Sequence, residues 1–343
     1  MRIRWNLILF NLTIIFGISG CVLKADYQSV SISKINGISL AAAKELIDST
    51  DLAPIKSINA NWVALMPYAF IREGERTLNY NTEWQWIGER KEGIEVDIAS
   101  SKKAGLKVML KPHVWLTHGE YTGDFELTTE VEWLAFEKSY KTYILDFAQI
   151  AEVQHVELFC IGTEWRKFVK HRPAFWVSLI KDVRSIYTGK LTYSSNWDEY
   201  TETPFWKELD FIGVNAYFPL TEHIYPTNEE LQLAWLPITK QLAELSHDTE
   251  KHILFTEYGY RSIEGTTIRP WESDTKLPVS MLEQQIALSA LYQTTWNQKW
   301  MAGGFLWKWF SNHDKRGGED HLGFTPQNKP SEMVVKEQYG KHN

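Results

Sequence analysis

The sequence predicts one α/β domain built as a closed (β/α)8 barrel. Three observations carry that expectation. Eight short apolar runs of β type recur along the chain, mostly separated by stretches with helical periodicity, the alternation that builds a parallel sheet. With 343 residues, the chain suits one large barrel and is short for two independent enzyme domains. Two of the runs, moreover, end in a glutamate, at Glu164 and Glu257, 93 residues apart. A strand-helix-strand unit takes roughly 30 residues or more, so the two glutamates fall at whole-unit spacing, as they would after strands four and seven.

In chain order, the first strand is expected over Ile35 to Leu40, with a helix over Ala41 to Ser49. A second strand covers Asn61 to Phe70, with Tyr68 near its end, and a loop from Arg72 to Trp86 follows. A helix over Glu92 to Ala104 stops at Gly105. The third strand, Lys107 to Trp115, alternates so that Met109, Lys111, His113 and Trp115 share a face. His113 and Trp115 then lie at the carboxyl end of the strand, the end where barrel enzymes keep their sites. A helix over Val131 to Ala151 precedes the fourth strand, Val156 to Ile161, which runs into Gly162-Thr163-Glu164-Trp165. The fifth strand, Lys190 to Trp197, ends in Ser194-Ser195-Asn196-Trp197. The sixth, Leu209 to Leu220, places Asn215 and Tyr217 on one face. After a helix over Glu229 to Ser246, Ile253 to Thr256 leads into Glu257, and Gly259 lets the backbone turn away. Helix Met281 to Lys299 and the last strand, Gly303 to Phe310, complete the count, with Trp307 and Trp309 on a shared face.

Composition narrows the partners. A net charge of −7 without long Lys/Arg blocks argues against nucleic acid, which demands a basic face. Sixteen Trp and fifteen Tyr favour a carbohydrate ligand, because flat rings stack on sugar faces while their polar tips reach hydroxyls. The basic start Met1-Arg2-Ile3-Arg4 and the apolar stretch Leu7 to Ile18 read as a secretory leader. Its end, Ile18-Ser19-Gly20-Cys21, resembles a bacterial lipobox. Residues 1–21 are therefore expected to be a lipoprotein signal peptide and Cys21 the lipidated residue, with a tether over 22–33 and the barrel over 34–343. That implies an exported protein anchored by lipid to a bacterial membrane, at its outer-membrane or cell-surface face. Cys160, in an apolar strand, then has no disulfide or metal partner. The loop His313 to His321 is polar without a recurring metal-ligand spacing, and no phosphate or dinucleotide motif occurs, so neither a metal nor a cofactor is expected.

Two carboxylates at the mouth of a barrel suit glycoside hydrolysis, in which one carboxyl group donates a proton to the leaving oxygen and the other acts ionised at the anomeric carbon. Strands four and seven face each other closely enough for the double-displacement geometry, so retention of configuration is expected. A hydroxyl from Tyr217 would hold Glu257 as the nucleophile. Glu164, beside Trp165 and near a negative partner, would have a raised pKa and act as acid, then base.

Several short motifs resemble a known family. The paired ends Gly162-Thr163-Glu164 and Thr256-Glu257-Tyr258-Gly259-Tyr260 are similar to those of clan A retaining glycoside hydrolases. With Lys111-Pro112-His113, Gly162-Thr163-Glu164-Trp165 and the tail Gly323-Phe324-Thr325-Pro326-Gln327-Asn328-Lys329-Pro330, they more narrowly resemble glycoside hydrolase family 113, whose typical members are β-1,4-mannanases. The resemblance covers about Ile35 to Lys336 and implies Glu164 as acid/base, Glu257 as nucleophile and Tyr217 as the nucleophile's partner. His113, Asn215, Trp197 and Trp307 are implied to line the subsites beside the scissile bond, with Trp115 and Tyr68 also expected to meet the substrate. Thr163 stands where the wider clan usually has an Asn that binds the sugar 2-hydroxyl, which leaves that ligand open. The expected activity is a retaining endo-β-1,4-mannanase on mannan, glucomannan or manno-oligosaccharides. Another retaining β-glycosidase, or a non-catalytic glycan-binding lipoprotein, is the alternative; oligomeric state is not legible.

Overall fold

The computed structural model describes residues 33–273 and 276–342. The expected leader with Cys21, and the tether up to residue 32, lie outside the described residues. Eight parallel strands close into a barrel in chain order: β1 (Ile35–Leu40), β2 (Trp62–Leu65), β3 (Lys107–Leu110), β4 (Leu158–Thr163), β5 (Lys190–Asn196), β6 (Phe211–Asn215), β7 (His252–Tyr258) and β8 (Met301–Trp309), which pairs back onto β1. Outer helices cover it: α1 (Ala53–Ser57), α2 (Lys91–Lys103), α3 (Glu130–Val153), α4 (Arg166–His171), α5 (Pro173–Arg184), α6 (Asn228–Thr249), α7 (Met281–Thr295) and α8 (Pro330–Gly340). The crossover from β5 to β6 holds a single short 3-10 turn, Trp206–Glu208. Among the described residues no helix is long and apolar enough to cross a membrane.

Alternation along the strands builds two apolar layers. Ile35, Ala64, Met109, Leu158, Cys160, Leu254, Ala302 and Phe305 fill the barrel interior. Their neighbours, such as Ile38, Val63, Val108, Ile161 and Phe255, pack outward with the helices. Several helix boundaries follow local chemistry. The Thr129 and Glu132 side chains cap each other's backbone N–H groups at the start of α3, and Gly105 closes α2 at φ +74°, a conformation glycine adopts without a Cβ clash.

Several expected elements differ. No helix forms over Ala41–Ser49; its Ala-rich propensity yields to tertiary bonds, with the Ala41 N–H donating to the Trp309 carbonyl at 2.8 Å and the Gly88 N–H to the Ala43 carbonyl at 3.1 Å. Asp48 Oδ1 accepts from the Thr50 N–H at 2.6 Å, a local turn that competes with helix. The second and third strands are each shorter than expected. Both break at a proline, Pro67 and Pro112, which lacks the N–H needed to continue the ladder. Beyond those breaks Tyr68–Ile71 and His113–Leu116 leave the barrel and pair with each other, Tyr68 opposite His113 and Phe70 opposite Trp115, in a small sheet completed by Asn79–Tyr80. The sixth strand stops at Asn215, so Tyr217 belongs to the following loop. The eighth carries an irregularity opposite Ser39/Leu40. Trp307 and Trp309 consequently do not share a face: Trp309 is fully buried and stacks on His313, whereas Trp307 lines a cleft.

Candidate active site

Both glutamates owe their aim to local departures from regular backbone. In β7, Leu254 faces the barrel interior and Phe255 faces out, so strict alternation would send Glu257 outward as well. The register slips between Phe255 and Glu257 against β6, and such a bulge re-aims the side chain that follows it. Thr256 and Glu257 both meet residues at the barrel mouth as a result. Glu164 follows β4 with φ +56°, a left-handed conformation that costs a non-glycine residue about 1–3 kcal/mol and recurs at functional sites. Its N–H is secured to the Ser194 carbonyl at 2.8 Å.

The two carboxyl groups have different partners. Glu257 Oε2 accepts a hydrogen bond from the Tyr217 hydroxyl at 2.9 Å, and Oε1 is ion-paired with the fully buried ammonium of Lys111. Lys111 lies two residues after the interior Met109, which places it on the same face just above the core layer. Glu164 Oε1 accepts from the Asn215 side-chain amide at 2.8 Å. Asn215 is in turn held by its own oxygen, 2.7 Å from Ser194 Oγ and 3.0 Å from Thr256 Oγ1, and is also the cross-strand neighbour of Glu257. A single residue therefore joins the surroundings of both carboxyl groups. Burial first, and then the nearby charge of Glu257, push the Glu164 carboxyl up to about 8.

Tyr68, His113 and Trp307 gather on one side of this pair. The His113 ring stacks on Trp307 at 6.2 Å and 12° and lies 5.3 Å from Tyr68. Its Nε2 is 3.8 Å from Glu257 Oε1 and has no hydrogen-bond partner among the described residues. Burial, reinforced by the Lys111 charge, holds the imidazole pKa well below its ordinary value, so the ring is neutral at physiological pH. From Trp307 and Tyr68 a cleft of about 650 Å³ opens toward Phe70, Trp86, Trp115 and Phe310. It flanks the glutamates on the side of β1, β2, β3 and β8 rather than enclosing them. Trp115 stands at its rim, 52% exposed. Trp197 lies apart from this group, at the end of β5, where it stacks on Trp271 at 5.0 Å and 20°.

The sequence expectations thus meet in one place for Glu164, Glu257, Tyr217, Asn215, His113, Tyr68 and Trp307. Asn215, at the strand end, and Tyr217, in the loop beyond it, each serve a different glutamate. Gly259 directly follows the last residue of β7, and a Cβ there would lie 2.5 Å from the Trp307 carbonyl, so close approach is what requires the glycine. Lys111 was given no role by sequence, although a lysine closing the apolar run Val108–Leu110 was a readable signal. Ser194, Thr256 and Tyr121 also carry no role in the sequence reading; the Tyr121 hydroxyl is 3.1 Å from Asn196 Nδ2 and feels the charge of Glu164. Among the described residues no group of three or more His, Cys, Asp or Glu side chains is placed to hold a metal.

The family model for Glycoside Hydrolase Family 113 matches residues 43–329. The chain belongs to glycoside hydrolase family 113. Among solved structures, the family 113 β-mannanase of Alicyclobacillus acidocaldarius, in complex with ManMIm, superposes with a TM-score of 0.79 at 23% identity, covering 91% of this chain and 99% of that one. A complex of a family 113 β-1,4-mannanase gives 0.77 at 21% identity, covering 90% and 99%. A β-glucuronidase of Faecalibacterium prausnitzii gives 0.59 at 12% identity, covering 90% of this chain and 49% of that one. These likenesses share the barrel fold. No functionally curated protein sequence matches the chain significantly. The family 113 membership makes this chain a glycoside hydrolase with a carbohydrate substrate.

Proposed function

We propose that this family 113 enzyme is a retaining endo-β-1,4-mannanase in which Glu257 is the nucleophile and Glu164 the acid/base. The observation that carries the roles is the contrast between the two carboxyl environments. Glu257 meets a buried ammonium and a tyrosine hydroxyl, both of which favour a charged oxygen. Glu164 sits in a desolvating pocket beside the charge of Glu257, and together these keep its proton on near neutral pH against the opposing donation from the Asn215 amide.

In the first step a Glu257 oxygen attacks the anomeric carbon, the glycosidic C–O bond breaks, and the Glu164 proton moves to the departing oxygen. The products are a glycosyl ester on Glu257 and a released sugar chain. Ester formation removes the negative charge beside Glu164, so its proton affinity falls at the stage when it must take a proton from water. That water attacks the anomeric carbon from the vacated side and Glu257 departs, which leaves the original configuration. Trp307 and Tyr68 offer ring faces for sugar stacking next to Glu257, and the neutral His113 has a free Nε2 there for a sugar hydroxyl.

Support for mannan as substrate comes from the family and from the two superposed family 113 mannanases. The test is product analysis on linear β-1,4-mannan oligosaccharides, recording the anomer first formed by NMR. Initial β-product from the wild type, and none from Glu257→Ala or Glu164→Ala, is expected; initial α-product would overturn the two-step scheme. Export and lipid attachment through Cys21 belong to the same proposal. Cys21→Ala is expected to move the protein out of the membrane fraction, and an unchanged distribution would refute the anchor.

A further inference from the structure

The cleft beside the glutamates has one wall whose charge the reaction does not use. Lys308 directly follows the platform residue Trp307. Its ammonium stands 5.4 Å from the ring centre of Trp307 and 5.4 Å from that of Phe310. The Arg316 guanidinium lies 4.9 Å from the same Phe310 ring. Both side chains line the cleft, and among the described residues neither forms an ion pair or a side-chain hydrogen bond. Lys308 is partly buried, and that burial depresses its pKa. An ammonium has three donors and a guanidinium five, and ring faces accept none of them as an oxygen does.

The facing wall does not answer this charge. One oxygen of Asp51 accepts from the Asp48 N–H at 2.9 Å and one of Glu89 from the Trp86 N–H at 3.2 Å, neither carboxylate is ion-paired with Lys308 or Arg316 among the described residues, and Glu45 is exposed at the rim. Two unpaired cations thus flank one aromatic ring, at the end of the strand that carries Trp307. A neutral hydroxyl would satisfy single donors. A carboxylate matches either the forked guanidinium or the ammonium with a charge complementarity that a hydroxyl lacks.

We propose that Lys308 and Arg316 bind a carboxylate carried on the arm of the sugar chain that passes Trp307, so that the enzyme prefers glycans bearing a uronic acid unit over wholly neutral ones. This rests on the endo-mannanase assignment for the backbone being cleaved, and adds a charged substituent to it.

The test is a competition in one vessel between neutral β-1,4-mannotetraose and the same tetraose partly oxidised at C6 to uronic acids, followed by mass spectrometry. At low ionic strength at least one acidic isomer should be consumed about tenfold faster than the neutral tetraose, the worth of a charge-assisted contact. The advantage should shrink in about 0.5 M salt and disappear in the Lys308→Met/Arg316→Met double variant, whose melting temperature is recorded alongside. Equal or slower consumption of every acidic isomer would overturn the proposal, as would an advantage that survives the double substitution. If no tetraose is cleaved, the mannanase assignment fails separately. Tryptophan-fluorescence titration with the same two tetraoses then judges the anion site: salt-sensitive preference for the acid supports it, and equal affinity refutes it.

Discussion

The Tyr217 hydroxyl donates to Glu257 Oε2 at 2.9 Å while the Lys111 ammonium holds Oε1, so each oxygen of one carboxylate has its own donor. Hydrogen bonds to charged groups contribute about 1.5–3 kcal/mol. Tyr217→Phe keeps the ring that packs 6.0 Å from Phe324 and removes the donor. Steady-state kinetics on a mannan oligosaccharide should show kcat lowered roughly ten- to hundredfold, with a smaller change in KM. A fall confined to KM would mean that Tyr217 binds sugar instead of positioning the nucleophile.

Lys111 and Glu257 are both buried, and removing one partner of a buried pair leaves the other charge uncompensated at a cost of about 3–5 kcal/mol. Lys111→Met should therefore lower the melting temperature by several degrees as well as abolish turnover. Lys111→Met combined with Glu257→Gln removes both charges, and it should recover much of the stability without any activity. A double variant as unstable as the sum of the singles would show that the pair is not coupled.

Much of this site was legible before the fold was known. An apolar run that ends in a carboxylate is a costly arrangement, and it occurs twice at whole-unit spacing, which is why Glu164 and Glu257 stood out. Tyr217 is legible because the sixth apolar run carries it to the barrel mouth, within reach of one of them. Lys111 did not, because its meaning depends on Glu257, 146 residues away and across the barrel. The breaks at Pro67 and Pro112 were written in the sequence, but β-type residues continue on both sides and hide the change of sheet. Those breaks matter for function: they peel Tyr68 and His113 out of the barrel together and set them against Trp307. The bulge before Glu257 had no sequence marker, and the Ala-rich segment Ala41–Ser49 carried a helical signal that bonds to Trp309 and Gly88 override.

Gly259 lets β8 approach the Glu257 segment closely, since a Cβ there would fall 2.5 Å from the Trp307 carbonyl. Backbone cannot yield as a flexible side chain does, and overpacking of this kind costs about 1–3 kcal/mol. Gly259→Ala should lower the melting temperature and, by shifting the Trp307 platform, raise KM more than it lowers kcat. Wild-type kinetics in this variant would show that the strand end relaxes without moving the platform.

The raised pKa of Glu164 sets both an activity limit and a stability slope. Its proton is required for the first step, so kcat/KM should fall as pH rises through about 8. Asn215 opposes that elevation by donating to Oε1; Asn215→Ala should therefore move the basic limb to higher pH in whatever activity remains. The sign for stability follows from proton binding. Between the ordinary glutamate value of 4.5 and about 8, the folded protein holds a proton on Glu164 that the unfolded chain has released. Folding is thus favoured less as pH rises through that window. Glu164→Gln carries no titrating group, so the difference in unfolding free energy between variant and wild type should grow in the variant's favour from about pH 5 to pH 8. Denaturant melts across that range measure it, and a difference independent of pH would show that the Glu164 proton is not held in the folded state.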